Sequence, residues 1–347
     1  MMNPFHAMVV TASLAASASG QVIDPFYAGS YSVVNLGSAP GVPSAYGGLT
    51  LKWDDPTTLL IGGQANSFDG KLYSIRVTRD IDGHIVGFCS GNATVFSSAQ
   101  YNDGGVVYGP DNILFLARYP VNEFAQLKVG STTPDKIIAM APFGVHVSTS
   151  SLNFVPAGFP GAGRMKLTTY NTGQWNEVQI TPDGNGTYDV VSVTQLPTSN
   201  LPGGPEGFTY VPSGSPLFPN PTMLVSEYAA NVVSAFELNA TGDPIISSRR
   251  VLVSGLSGAE GATIDPITGD FLFSTFGGFG TIIVVRGFVP PDGCRADCEQ
   301  DNDLDVFDYL CFLNYFSVQH PYANFDGDCD FDIFDFLAFQ GSFASGC

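Results

Sequence analysis

Two stretches late in the sequence place oxygen-bearing side chains at alternate positions. The first is Asp297, Glu299, Asp301, Asp303, Asp305 and Asp308. The second, 27 residues further on, is Asn324, Asp326, Asp328, Asp330, Asp332 and Asp335. These are positions 1, 3, 5, 7, 9 and 12 of a twelve-residue loop. That spacing wraps oxygen ligands around Ca²⁺, with position 7 lending its backbone carbonyl. Two Ca²⁺ sites are expected, with the Asp303 and Asp330 side chains spare. Position 8 is apolar in both loops (Leu304, Phe331), and apolar residues then recur at i, i+3, i+4 and i+7. Each loop is therefore expected to feed a short helix. A merely solvated acidic tail would not keep these apolar positions in phase. Position 12 is Asp rather than Glu, and position 6 holds Asn302 and Cys329 rather than Gly. Cysteine tolerates the left-handed backbone poorly, so the second loop is expected to bind more weakly or to be strained.

Two loop–helix units with no entering helix resemble a dockerin, an EF-hand-like module. The strings Val306-Phe-Asp-Tyr-Leu310 and Ile333-Phe-Asp-Phe-Leu337, with the closing Ser345-Gly346-Cys347, are similar to the GC-type dockerin tails of secreted bacterial proteins. The likeness covers residues 292–347. It implies a calcium-ordered tail that attaches its protein to a protein receptor. Cellulosomal dockerins meet cohesin through small hydroxyl residues at positions 10 and 11. Here those positions are Val306-Phe307 and Ile333-Phe334, which argues for a different receptor or a core role. The repeat also bears on the cysteines. Cys298 and Cys311 occupy places that hold Phe325 and Ala338 in the second unit, so a Cys298–Cys311 bond is expected. Cys294 and Cys347 bracket the module and are expected to clamp its ends. Cys89 and Cys329 are left with no assigned partner.

Two more acids occupy matching places upstream, in Gly204-Pro205-Glu206-Gly207-Phe208-Thr209 and Gly258-Ala259-Glu260-Gly261-Ala262-Thr263. Weaker copies begin near residues 47, 104 and 150. The period of about 45–57 residues is that of a four-stranded propeller blade. Asp-Gly or Thr-Gly pairs at Asp69-Gly70, Asp82-Gly83, Asp103-Gly104, Asp183-Gly184 and Thr241-Gly242 read as hairpin turns. The last repeat is one strand short, and Tyr31–Leu36 can supply it, closing the ring without an open edge. A mainly β fold follows: a propeller over 21–288 with five blades, six being the alternative and a pair of β-sandwiches the rival. A linker, 289–293, joins it to the small α module of two Ca-loop–helix units, 294–347.

Glu206 and Glu260 would face one channel, where they could hold a divalent cation, work as an acid/base pair or cap backbone amides. The body resembles the NHL and gluconolactonase-like propellers, which implies a channel cation with Glu, Asn and Asp ligands. Gly47, Gly104 and Ser150 take the corresponding places in the other repeats. Asp103 and Asn153 lie nearby but out of register.

Composition narrows the functions. The 347 residues carry a net charge of −19, with 44% hydrophobic and 13% charged residues, 40 Gly and 24 Pro. This suits short strands and tight turns, and it leaves no field for nucleic acid. Of the 32 acids, 12 lie in residues 292–347 beside one base, Arg295. Residues 1–20 read as a signal peptide, which with the clustered cysteines implies secretion. No apolar run beyond it is long enough to span a membrane. No G-x-S-x-G, H-E-x-x-H or phosphate loop occurs. His84 reads as a turn residue and His146 as a core residue. The leading expectation is a secreted, non-catalytic anchoring protein, whose propeller takes a carbohydrate or other small ligand or a partner. The alternative is an extracellular hydrolase or lactonase with a channel metal, acting on carbohydrate-related substrates.

Overall fold

The computed structural model describes residues 20–80, 82–145, 148–290, 295–299, 301 and 303–346. The signal-peptide reading (apart from Gly20), His146, Asn302 and the Cys294–Cys347 pairing fall outside those residues.

Five antiparallel sheets account for residues 22–286. Their innermost strands are Leu49–Lys52, Asn102–Tyr108, Thr149–Phe154, Pro205–Val211 and Ala259–Ile264. Each packs against the next, and the fifth returns to the first. The protein is thus a five-bladed β-propeller. Every inner strand begins within two residues of its expected repeat start. The sandwich and six-blade alternatives fail because the ring closes on five.

The second strand of each blade is flanked by neighbours on both faces, so its sequence is continuously apolar or small rather than alternating. Thr222–Glu227 and Phe271–Thr275 are buried along their whole length. The core fills the wedges between blades. Leu224 and Val233 of blade four meet Phe271, Phe273 and Ile283 of blade five. Outer strands return to alternation, as in Tyr188–Gln195, where one face meets water.

Closure uses two N-terminal strands where the repeats called for one. Ser32–Gly37 pairs antiparallel with Ile282–Arg286 and completes blade five. Val22–Ile23 adds a fifth strand to blade four, against Arg250–Ser254.

The tail holds two helices, α1 (Val306–Ser317) and α2 (Ile333–Ser345). Their N-caps are Asp305 and Asp332, and Asp308 and Asp335 close the two capping boxes. These are loop positions 9 and 12, so each acidic loop ends as the cap of the helix that follows it. Phe312 of α1 stacks on Phe339 of α2, with centroids 4.2 Å apart, over Ala296, Ala323 and Phe325. No helix among the described residues is long and apolar enough to cross a membrane.

Two disulfides are present among the described residues. Cys298–Cys311 forms as expected, and Cys89 pairs with Cys329, joining blade one to the second acidic loop. Inner strands run away from the channel mouth, and the tail docks near their far ends. There Arg79 donates its backbone N–H to Gly327 O at 3.0 Å. The Arg79 guanidinium pairs with Asp265 at 2.6 Å, both fully buried.

Candidate functional site

The inner strands begin at the channel mouth, and there the ladder is irregular. Register shifts fall between Asn102 and Val106, between Pro205 and Phe208, and between Ala259 and Ala262. Each bulge contains an acid followed by glycine: Asp103-Gly104, Glu206-Gly207 and Glu260-Gly261. A bulge turns one extra side chain away from the ladder, here toward the axis. The glycines are needed because the strands nearly touch. A Cβ on Gly104 would lie 2.7 Å from the Gly207 nitrogen, and one on Gly207 would collide with the Ala262 nitrogen. Blades two and four therefore meet across the axis.

Asp103, Glu206 and Glu260 each offer one oxygen within 4.8 Å of the other two. Their exposures are 0%, 4% and 1%. Asp103 Oδ2, Glu206 Oε2 and Glu260 Oε1 are buried and take no hydrogen bond from any donor outside the three acids themselves. Desolvation lifts Asp103 from 3.8 to about 7, against hydrogen bonds from Glu260, Glu206 and Asn66. Burial and then the charge of Asp103 push both glutamates well above the carboxylate range, with Glu260 adding to the shift of Glu206. Three acids this close and this dry share protons unless a cation replaces them.

Asn66 completes the cluster. With its amide nitrogen turned inward it donates to Asp103 Oδ1 at 2.9 Å and to Asn102 O at 3.2 Å. Turned the other way, its oxygen faces the same acceptors, an arrangement only a positive charge between them would favour.

Above the acids lies a collar of rings. Tyr119, Tyr170, Tyr228 and Phe276 each follow directly the second strand of blades two to five. They meet edge to face in succession: Tyr119–Tyr170 at 5.9 Å, Tyr170–Tyr228 at 5.7 Å and Tyr228–Phe276 at 5.8 Å. All four are half-buried. Burial first, then the charges of nearby acids, raise the phenol pKa of each tyrosine: Asp103 and Glu206 act on Tyr119, and all three acids act on Tyr170 and Tyr228. Tyr170 packs over Gly204 and Tyr228 over Gly258, each 2.7 Å from where a Cβ would stand. The repeated Gly-x-Glu-Gly string thus has three physical parts: a seat for the preceding blade's ring, an axial acid, and a glycine for close approach.

Three sequence readings need correction. Asp103-Gly104 is not a hairpin turn but an inner-strand bulge, and Asp103 is in register with Glu206 and Glu260. The glutamates are not chiefly amide caps. Glu206 takes one backbone hydrogen bond, from Gly104, yet both keep an unpartnered oxygen. His84 is more than a turn residue: its Nδ1 lies 2.6 Å from Asp270 Oδ2. Asn153 stays apart, donating to Phe208 O at 2.8 Å.

In the tail, the loop acids bond backbone N–H groups. Asp297 Oδ1 accepts from Asp301, Asp301 Oδ1 from Asp303, and Asp308 Oδ1 from Cys298. In the second loop Asp326 Oδ1 accepts from Asp328, Asp328 Oδ1 from Asp330, and Asn324 Oδ1 from Cys329. Positions 1 and 12 (Asp297, Asp308, Asn324, Asp335) are buried. Cys329 has φ +80°, the left-handed turn that position 6 requires. Glu299, Asp303, Asp305, Asp330 and Asp332 stand around the loops. Among the described residues, only the channel brings three acid oxygens within 4.8 Å of one another. Val306, Phe307, Ile333 and Phe334 are not core. They are 62%, 56%, 61% and 60% exposed.

No protein-family model matches the chain, and no curated protein matches it. Solved structures with a similar fold include a gluconolactonase from Xanthomonas campestris, at 12% identity and TM-score 0.44, covering 80% of this chain and 86% of that one. A structural-genomics target provisionally named a gluconolactonase has 14% identity and TM-score 0.41, covering 74% and 94%. An auxiliary nutrient-binding protein from Bacteroides ovatus has 9% identity and TM-score 0.41, covering 73% and 76%.

Proposed function

We propose that the propeller channel is a divalent-cation centre held by Asp103, Glu206 and Glu260 with Asn66, and that it serves an extracellular hydrolase of the lactonase type. The observation that carries this is the set of three buried carboxylates, each with an unpartnered oxygen. A cation there would polarise a ligand carbonyl or acidify a bound water. The chain's own groups do the rest. The three acids hold the charge, the collar of Tyr119, Tyr170, Tyr228 and Phe276 excludes water and orients a small oxygen-rich ligand, and the tyrosine hydroxyls supply hydrogen bonds beside it. Carbohydrate-related lactones fit that description.

The second reading is a non-catalytic ligand-binding and anchoring protein with the same cation. It draws support from the near-complete burial of the acids. In both readings the tail binds two Ca²⁺ ions through its alternating acids and carries the propeller to a protein receptor. The exposed Val306-Phe307 and Ile333-Phe334 pairs are the surface that would meet it. Two disulfides are compatible with an extracellular location.

The test is metal analysis of the chelated and reloaded full chain, followed by assay against sugar lactones. Stoichiometric channel metal, lost in Glu260→Gln, with metal-dependent turnover supports the hydrolase. Metal without turnover moves the function to the binding reading. No metal at all ends both channel proposals.

A further inference from the structure

Lysine is almost never fully buried unless it is paired. Lys166, in the second strand of blade three, Met165–Thr169, is 0% exposed. Its Nζ lies 2.5 Å from Asp243 Oδ1 and 2.8 Å from Glu177 Oε2. Glu177 stands directly opposite Lys166 on the third strand of that blade, Trp175–Pro182. Asp243 comes from blade four, in the turn after the strand Val232–Glu237, and is 3% exposed. Trp175 Nε1 donates to Asp243 Oδ1 at 3.0 Å, and Thr241 Oγ1 donates to Asp243 Oδ2 at 2.6 Å. An amine, a carboxyl group and a second carboxylate in contact with the amine thus meet in the joint between two blades.

We propose that Lys166 and Asp243 condense to an intramolecular isopeptide bond, with Glu177 carrying the proton. Burial works to raise the Asp243 pKa, but the hydrogen bonds from Lys166, Thr241 and Trp175 outweigh it, so the resting pair is ionic. One proton passing from Nζ to Oδ1 along their hydrogen bond gives a neutral amine and a neutral acid, the pair that can react. Nζ then attacks Cγ. Glu177 Oε2 takes a second proton from Nζ, and Thr241 Oγ1 donates to Oδ2 as negative charge gathers there. Oδ1 leaves with both protons as water, so the Cγ–Oδ1 bond is exchanged for Cγ–Nζ. The third proton stays on the amide, and no oxidant or reductant takes part. Glu177 ends as a carboxylate paired with Arg164 at 2.9 Å. Desolvation is the driving force: two buried charges become one neutral amide, and a water is released. The bond ties blade three to blade four. It shares no residue with the channel or the tail and stands whether or not the channel holds metal.

The experiment is peptide mapping of the purified full chain by mass spectrometry. The folded chain is kept warm until its intact mass stops changing. It is then reduced, unfolded and digested with chymotrypsin, which cuts repeatedly between Lys166 and Asp243. The expected product is one branched peptide holding both residues, lighter by one water than its two linear arms together. Glu177→Gln keeps a hydrogen-bonding side chain that cannot take the proton. It should keep the native circular dichroism and give the two arms separately at full mass. Lys166→Arg keeps the charge and should also retain the water. Separate, full-mass arms from the native chain overturn the proposal. A loss of water that persists in Lys166→Arg overturns it too, because the dehydration then lies elsewhere. An undiminished branched peptide in Glu177→Gln overturns the role given to Glu177.

Discussion

Asp103, Glu206 and Glu260 are each acids that water has left and nothing positive has replaced. Their carboxyl groups are pushed up, Asp103 to about 7. The sign of the pH effect follows. In the metal-free folded chain these three groups hold protons that an unfolded chain would release, so their contribution to stability is greatest below about pH 4 and is lost as pH rises through 7. The melting temperature of chelated protein should therefore fall between about pH 5 and pH 8. Asp103→Asn should flatten that slope, and divalent metal should restore the loss at high pH in the native protein only. A flat melting profile in chelated native protein would contradict the cluster. Glu206 and Glu260 were legible because their strings repeat. Asp103 was not, because an Asp-Gly pair is also the commonest hairpin signal, and only the bulge puts it in phase. Asn66 sits outside any repeat, and nothing in its neighbourhood marks it. His84 looked like a turn residue because its partner, Asp270, is 186 positions away.

Among elements, the inner strands are where sequence and packing agree most closely. Their starts could be read from the period, since each blade must rebuild the same buried second strand behind its inner strand. The two helices could be read as well. Asp305 and Asp332 each stand immediately before an apolar-periodic run, with Asp308 and Asp335 three positions on. The aromatic collar had a usable signal that composition alone hides: one ring directly after each second strand from blade two to blade five. Blade one breaks the pattern with Gln64, which leaves the collar open on that side. The glycines of the bulges carry the sharpest prediction at this scale. Gly207→Ala forces a Cβ onto the backbone of blade five, where no flexible side chain can yield. It should cost about 1–3 kcal/mol and appear as a lowered urea midpoint with unchanged slope. Gly130→Ala, where open space surrounds the Cβ, carries only the left-handed φ of +85° and should cost less. Equal losses would mean that the axial contact is not what limits the inner strand.

The two units of the molecule are joined by features no sequence period could announce. Cys89 and Cys329 are 240 residues apart, and which cysteines pair depends on how the tail sits on blade one. Arg76 and Arg79 reach the same loop from the propeller side, through Cys329 O and Gly327 O. The second acidic loop is thus held by the propeller as well as by its own helix, whereas the first is closed within the tail by Cys298–Cys311. This asymmetry makes the three proposed cation sites separable in one titration of the full chain. Glu260→Gln should remove the channel event alone. Asp301→Asn and Asp328→Asn should each remove one tail event. Cys89→Ser should leave the channel and first-loop events intact and weaken the second. Without the bond, a cysteine at φ +80° keeps only the Arg76 hydrogen bond to its carbonyl, from outside its own loop, to hold it in a conformation that L-residues avoid. Equal weakening of all three events in Cys89→Ser would instead make the disulfide a general brace for the fold. No change in any event would mean that the second loop holds its own turn.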